Sequence, residues 1–176
     1  MVTANEFSHV VKISEVGNHS RNLRLSADDA ARHALMARFD LAALDNLDAE
    51  ISLQHEADAV IATGRFTASL AQFCIATHDP VPAKLDEAIH IQFIAEPTSN
   101  GEVELELAPE DCDTMFHDGQ TIDLGEAVAQ SMCLALNPYP RSPEAEKILK
   151  AAGVKSEEDV APVGALAGLK DLLAKK

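Results

Sequence analysis

Two side chains that could do chemistry stand close together in the stretch "QFCIATHDPVP", residues 72–82. Cys74 and His78 are four residues apart, beside Pro80 and Pro82. A cysteine near a histidine can be half of a metal site, or a nucleophilic thiol with its base. It can equally be a thiol packed at the end of a strand, since free cysteine is among the most buried residue types. The spacing alone leaves all three interpretations open.

The alternation of residues along 59–77 favours a buried thiol. In an uninterrupted strand, Cys74 lies on the same side as five apolar residues: Val60, Ala62, Phe66, Ala68 and Leu70. Gly64 lies in the same run and is a candidate β-bulge, which would shift this register. We expect Cys74→Ser to be more destabilising than Cys74→Ala, because a hydroxyl buried without a partner is costly.

A zinc site or a catalytic thiol has less support. Structural zinc takes four Cys or His ligands, usually in C-x-x-C pairs, but position 77 is threonine and no second pair occurs. A catalytic thiol needs a third, orienting group and positive neighbours, and the sequence indicates neither. We therefore predict no catalytic residue, no metal and no cofactor. The alternative is a small-molecule or metal-binding enzyme that uses the Cys74/His78 corner.

Negative charge is concentrated in the middle of the chain. The net charge is −15, and no Lys or Arg occurs between Lys84 and Arg141. We call this interval the acidic belt; its twelve carboxylates are Asp86, Glu87, Glu96, Glu102, Glu104, Glu106, Glu110, Asp111, Asp113, Asp118, Asp123 and Glu126. Nucleic-acid binding depends on clustered cations, so the belt argues against direct contact with RNA. It indicates either a solvated face or a surface for a basic protein, with Glu102, Glu104 and Glu106 as the candidate partner surface.

Length and composition fit a globular protein. The chain has 176 residues, of which 47% are hydrophobic, enough to build one core. Its start lacks the pattern of a secretory signal, and no apolar run approaches the roughly 20 residues of a membrane helix. Three widely spaced cysteines, Cys74, Cys112 and Cys133, favour reduced thiols over disulfides. We expect a cytoplasmic protein without a membrane segment.

The apolar periodicity predicts an α+β fold, with an antiparallel meander that could close into a barrel, two to three helices and a short C-terminal helix. Strands are predicted at 6–14, 47–56, 59–77, 84–96 and 101–107. Helices are predicted at 26–39 with Ser26 as N-cap, within 121–136 with Asp123 as N-cap, and around 144–152. We predict a single domain at 1–140, a linker or irregular segment at 141–161, and an amphipathic helical tail at 162–176.

Three stretches, taken together, resemble the YceD-like family of large ribosomal RNA subunit accumulation proteins, a bacterial and plastid group. The hairpin around Cys74 is similar to one on which family members often carry C-x-x-C. The segment "IDLGEAVAQSMCLALNPYPRSPEA" (122–145) is similar to an I-D-L helix that runs into L-A-L and prolines, and "PVGALAGLKDLL" (162–173) to a P-F-x-x-L-x-x-L-K tail. The matching positions are Cys74, Asp123, Leu124, Leu134, Leu136, Pro140, Pro162, Leu166, Leu169 and Lys170.

Two positions depart from that pattern. Thr77 stands where the family has its second hairpin cysteine, and Val163 where it has the tail aromatic. The resemblance implies a role in accumulation of 23S ribosomal RNA, and so in large-subunit assembly, without a known enzyme activity. Because the chain is acidic, we expect the direct partner to be a basic ribosomal or assembly protein rather than RNA.

Overall fold

Three long antiparallel strands form the centre of the fold. The computed structural model describes residues 6–96 and 113–154. In chain order its elements are β1 (Val10–Lys12), β2 (Arg21–Ser26), α1 (Asp29–Phe39), β3 (Leu41–Glu56), β4 (Ala59–Phe73), β5 (Pro80–Ala95), β6 (Asp113–His117), β7 (Thr121–Asp123), α2 (Leu124–Ala135) and α3 (Ala145–Ala151). A single 3-10 turn, Ile13–Glu15, follows β1.

The strands form one five-stranded sheet and one two-stranded sheet. The larger sheet has the order β2-β3-β4-β5-β6, and the smaller one pairs β1 with β7. Every pairing is antiparallel except that of β5 with β6, which is parallel. The predicted α+β class is therefore confirmed. Within the described residues the large sheet stays open, with β2 and β6 at its edges, and does not close into a barrel.

One face of the large sheet is apolar and covered by helices. The residues predicted to share one side of β4 are all buried: Val60, Ala62, Phe66, Ala68 and Leu70. Helix α1 contacts β3, and α2 contacts β4 and β5. Leu35 of α1 and both Val128 and Met132 of α2 are completely buried in this layer. The opposite face carries polar side chains, among them the exposed pair of Arg65 and Asp86. The alternation of β4 thus places the core on one side, as a two-layer fold requires.

Gly64 is not a bulge. The pairing of β3 with β4 continues through Ile51 and Gly64 without interruption, and the register shifts lie instead near Leu41 and Leu44. A Cβ atom at position 64 would overlap the carbonyl oxygen of Glu50 and lie 3.0 Å from Cα of Ile51. Glycine is needed here because the backbone of β3 approaches β4 too closely for any side chain.

Several predicted boundaries were wrong. The predicted strand 6–14 is a strand only over Val10–Lys12, because the 3-10 turn follows at once. The N-cap of α1 is Asp28, whose Oδ1 accepts from the backbone N–H of Ala31 at 2.8 Å. Ser26 instead ends β2 and donates to Asp48 on β3 at 2.7 Å. The predicted strand at 101–107 lies outside the described residues.

The chain beyond α2 contributes to the packing at the end of β4. Helix α3 agrees with the helix predicted around 144–152, and its first residue, Ala145, is 1% exposed. Apolar side chains farther along are exposed, including Ile148 and Val154. The boundaries of the domain, the linker at 141–161 and the tail at 162–176 remain predictions, since residues 155–176 lie outside the described part.

Candidate functional site

Cys74 begins a tight turn directly after β4. The backbone N–H of Cys74 donates to the carbonyl of Asp79 at 2.8 Å, and the N–H of His78 donates to the carbonyl of Cys74 at 2.9 Å. His78 has a φ of 61°, in the left-handed region. These bonds reverse the chain so that β5 can begin at Pro80. The predicted strand therefore ends at Phe73, four residues earlier than expected.

A segment that follows α2 covers this turn. The carbonyl of Pro140 accepts from the backbone N–H of Ile75 at 3.0 Å, and Sγ of Cys74 accepts from the backbone N–H of Ser142 at 3.3 Å. The hydroxyls of Thr77 and Ser142 lie 3.3 Å apart. Cys74, Thr77 and Ser142 thus form one polar cluster across two segments, which we call the Cys74 corner.

The thiol of Cys74 is buried and surrounded by donors. Its residue is 2% exposed, which confirms the prediction of a buried thiol. Burial raises the pKa of Cys74, but hydrogen bonds from the Thr77 hydroxyl and from the backbone N–H groups of Ser142, Ala76 and Thr77 outweigh it and lower the pKa to about 6. Donors that favour a thiolate are a feature of activated cysteines, yet here the same donors also close off the sulfur.

His78 is turned toward an aromatic ring. Its imidazole stacks on Phe73, with ring centroids 4.3 Å apart and ring planes within 4°. The donors to Sγ of Cys74 are amides and one hydroxyl rather than this imidazole. In residues 6–96 and 113–154, no group of three His, Cys, Asp or Glu side chains is placed to hold a metal ion.

An apolar groove lies next to the Cys74 corner, where α2 ends. We call it the α2-end groove; its volume is about 470 Å³, and it is lined by Phe39, Asp40, Gln72, Phe73, Ile75, Cys133, Leu134, Leu136, Asn137, Pro138 and Pro140. Leu134 is 78% exposed and Tyr139, between two of the lining prolines, is 71% exposed. A polar bond from the Gln72 side chain to the carbonyl of Asn137, at 2.9 Å, fixes the segment after α2 against β4.

The positions that carry the family resemblance separate into two structural groups. Leu134, Leu136 and Pro140 meet at the α2-end groove beside the Cys74 corner. Asp123 and Leu124 are instead at the start of α2, where Leu124 is completely buried. The remaining positions lie outside the described residues: Pro162, Leu166, Leu169 and Lys170.

Asp123 is the N-cap of α2, as predicted. Its Oδ1 accepts from the backbone N–H groups of His9, Gly125 and Glu126 at 2.8, 3.0 and 3.3 Å, and Oδ2 accepts from the hydroxyl of Ser8 at 2.8 Å. These bonds tie α2 to the N-terminal segment, which makes Asp123 a structural residue.

The acidic belt is partly neutralised within the fold. Asp86 bonds Arg65 at 2.6 Å, and Glu126 is held by Arg38 at 2.7 Å. By contrast, three carboxylates form no ion pair within the described part of the chain. They are Glu87 on β5, Glu96 just after β5, and Asp113 on β6. Glu102, Glu104 and Glu106 lie outside that part.

Sequence reasoning missed the α2-end groove and the role of Ser142. The signal for the groove was present in "LALNPYP", residues 134–140, where apolar residues continue past the end of an amphipathic helix. No local pattern marks Ser142, because its bond to Cys74 joins residues that are 68 positions apart.

Comparison with known proteins gives no match: no family model, no curated protein and no solved structure matches the chain. None of the helices in the described parts is long and apolar enough to span a membrane.

Proposed function

We propose that the protein is a non-enzymatic ribosome-biogenesis factor of the bacterial cytoplasm. It supports accumulation of 23S ribosomal RNA and assembly of the large subunit, and it acts through a basic ribosomal or assembly protein. The proposal rests on the resemblance carried by the hairpin at Cys74, residues 122–145 and residues 162–173. It also rests on the charge and shape of the described surface.

The observation that carries the proposal is the unpaired charge near one edge of the large sheet. Glu87, Glu96 and Asp113 lie on or beside the paired strands β5 and β6 and have no ion-pair partner among the described residues. Glu96 directly precedes the interval 97–112, which contains Glu102, Glu104 and Glu106 in sequence. Such a surface repels phosphates and attracts a basic protein.

The Cys74 corner supports a non-enzymatic role over the alternative. A nucleophilic or metal-binding thiol must be reached by its substrate or ion, but Cys74 is 2% exposed and its sulfur already accepts several hydrogen bonds. Its histidine neighbour stacks on Phe73. The lining of the adjacent groove includes Phe73 and Ile75, on either side of Cys74, but not Cys74 or His78.

A binding experiment tests the choice of partner. The purified chain is titrated with a 23S ribosomal RNA fragment and, separately, with basic ribosomal proteins at several salt concentrations. We expect no tight binding to the bare RNA, and we expect binding to a basic protein that weakens as salt screens charges over about 8 Å at physiological ionic strength. Tight, salt-resistant binding to the RNA fragment would contradict the proposal.

Charge reversal within the belt provides the matched comparison. The triple variant Glu102→Lys, Glu104→Lys and Glu106→Lys should lose the basic partner, because it converts attraction into repulsion. The control variant Asp45→Lys, Glu56→Lys and Asp58→Lys changes the net charge equally at exposed positions outside the belt and should retain most of the binding. Equal loss in both variants would show that total charge, not the belt, selects the partner.

A cellular experiment separates this role from the enzymatic alternative. In cells that lack the protein, Cys74→Ser should restore 23S ribosomal RNA to the level given by the unchanged chain. A folded Cys74→Ser protein that fails to restore the RNA would instead favour a function that requires the thiol.

A further inference from the structure

Large apolar side chains are exposed in the α2-end groove. Leu134 is 78% exposed and Ile75 is 53% exposed, although both are large aliphatic residues. Both line one depression, together with Phe73. Clustered apolar side chains of this kind mark a surface that binds another segment, because water contact with them is unfavourable.

We propose that the C-terminal segment 162–176 of the same chain binds in the α2-end groove. Its sequence, "PVGALAGLKDLLAKK", places Leu166, Leu169 and Leu173 at helical spacing on one face. An amphipathic helix that lays such a face into an apolar groove is a recurring mode of recognition. A helix of about a dozen residues is marginal alone, so this face needs a surface to cover it.

The described chain ends close enough for this contact. Ser142 and Ala145 are fixed at the Cys74 corner, which adjoins the groove through Ile75 and Pro140. Helix α3 has seven residues and is therefore about 10 Å long. The eight steps from Val154 to Pro162 then span at most about 28 Å. The segment can return to the groove without any change in the described fold.

Charge favours the same arrangement. Residues 162–176 contain three lysines and one aspartate, whereas the whole chain has a net charge of −15. Asp40 is the charged residue in the described lining of the groove. Lys170 follows Leu169 directly and lies near the apolar face of the predicted helix, so its ammonium group can reach a carboxylate at the rim of the groove.

The chain carries its own probe for this contact. Tyr139 is the single tyrosine, and the chain has no tryptophan, so intrinsic fluorescence reports on Tyr139 alone. Tyr139 stands in the chain between Pro138 and Pro140, which both line the groove, and it is 71% exposed. A segment bound in the groove would shield this ring from a dissolved quencher such as acrylamide.

The experiment compares two full-length variants with the unchanged chain. Leu166→Asp with Leu169→Asp places two charges on the apolar face, while the control Ala167→Asp with Gly168→Asp places two on the opposite face. Acrylamide quenching of Tyr139 should be at least about twofold weaker in the unchanged chain and the control than in the leucine variant, because a covered ring is reached only when the segment opens. Adding a synthetic 162–176 peptide to the leucine variant should restore the protection.

Two other occupants of the groove give different results. Equal quenching in all three proteins would overturn the proposal, since it would leave the groove open for a separate partner. Protection that disappears on dilution, together with a dimer in sedimentation, would also overturn it and assign the groove to a second copy. The inference does not depend on the proposed function, because no ribosomal component enters the measurement.

Discussion

The backbone N–H of Ser142 donates a hydrogen bond of 3.3 Å to Sγ of Cys74, which lies 68 positions earlier in the chain. In the same turn, the backbone N–H of Ile75 donates a hydrogen bond to the carbonyl of Pro140. The thiol is therefore an acceptor that holds the segment after α2 against the end of β4. A buried N–H group that loses such an acceptor costs free energy, because water cannot replace the bond.

The order of two substitutions at Cys74 follows from this bond. Cys74→Ala removes the acceptor of the Thr77 hydroxyl and of several backbone N–H groups, whereas Cys74→Ser retains an acceptor oxygen. We now expect the alanine variant to be the less stable one, with a melting temperature lower by roughly 2–4 °C than that of the serine variant. This reverses the order expected from the sequence, which assumed a site without partners. Thermal unfolding of both variants measures this difference in melting temperature. A more stable alanine variant would show that these bonds contribute little to the stability of the fold.

The ionisation of Cys74 makes part of the stability depend on pH. Its pKa is lowered to about 6, against about 8.5 for a free thiol. Since the folded pKa is the lower one, the stabilisation is fully present above about pH 8.5 and is lost as the pH falls through about 6. The difference in melting temperature between the unchanged chain and Cys74→Ser should therefore grow from pH 6 to pH 9.

Thiolate absorbance gives an independent measurement of the same pKa. The difference spectrum between the unchanged chain and Cys74→Ser should show a thiolate that appears near pH 6. Cys133→Ser serves as the control, because its removal should leave that transition in place. A transition of Cys74 near pH 8.5 would contradict the role assigned to the surrounding donors.

The sequence predicted the sheet better than it predicted the corner, for a physical reason. Alternation along β4 is a local property, so the buried side from Val60 to Leu70 could be read directly. The turn after Phe73 depends on Ser142 and on the carbonyl of Pro140, which are distant in the chain. Likewise, the glycine at position 64 indicated an irregularity in β4. Both a bulge and the close approach of a neighbouring backbone favour glycine, so the sequence alone does not distinguish them.

The ion pair between Arg38 and Glu126 should stabilise the contact between α1 and α2. Two parallel bonds of 2.8 and 2.7 Å join the guanidinium to the carboxylate, whose side chain is 14% exposed. The bonds from Arg38 lower the pKa of Glu126. We expect Glu126→Gln to reduce the free energy of unfolding by about 1–3 kcal/mol, because Arg38 loses its doubly bonded carboxylate and keeps only the single bond to Glu6 at 3.0 Å among its described charged partners.

Acidic pH should remove the stabilisation that the ion pair between Arg38 and Glu126 provides. Because the folded pKa of Glu126 lies below the value of about 4.3 for a free glutamate, the stabilisation is present above that pH and is lost as the pH falls through the folded pKa. Urea unfolding at pH 7 and at about pH 3 measures the change, and the difference between the unchanged chain and Glu126→Gln should shrink at the lower pH. Glu146→Gln is the control, since Glu146 bonds Lys150 on the exposed surface of α3 and should have no measurable effect.

A side chain at position 64 should be less well tolerated than one at position 17. In Gly64→Ala the new methyl group would meet the backbone of Glu50 and of Ile51 on β3, and neither strand can move without breaking its pairing with the next. We expect the free energy of unfolding to fall by about 1–3 kcal/mol, the usual cost of forcing an extra carbon into a packed site. Gly17→Ala is the matched control, because its new methyl group would have its nearest neighbour at 3.9 Å. Urea unfolding of both variants measures the two free energies of unfolding. Equal values would mean that β3 and β4 can separate at Gly64 without loss of stability, and that their close approach does not constrain the sheet.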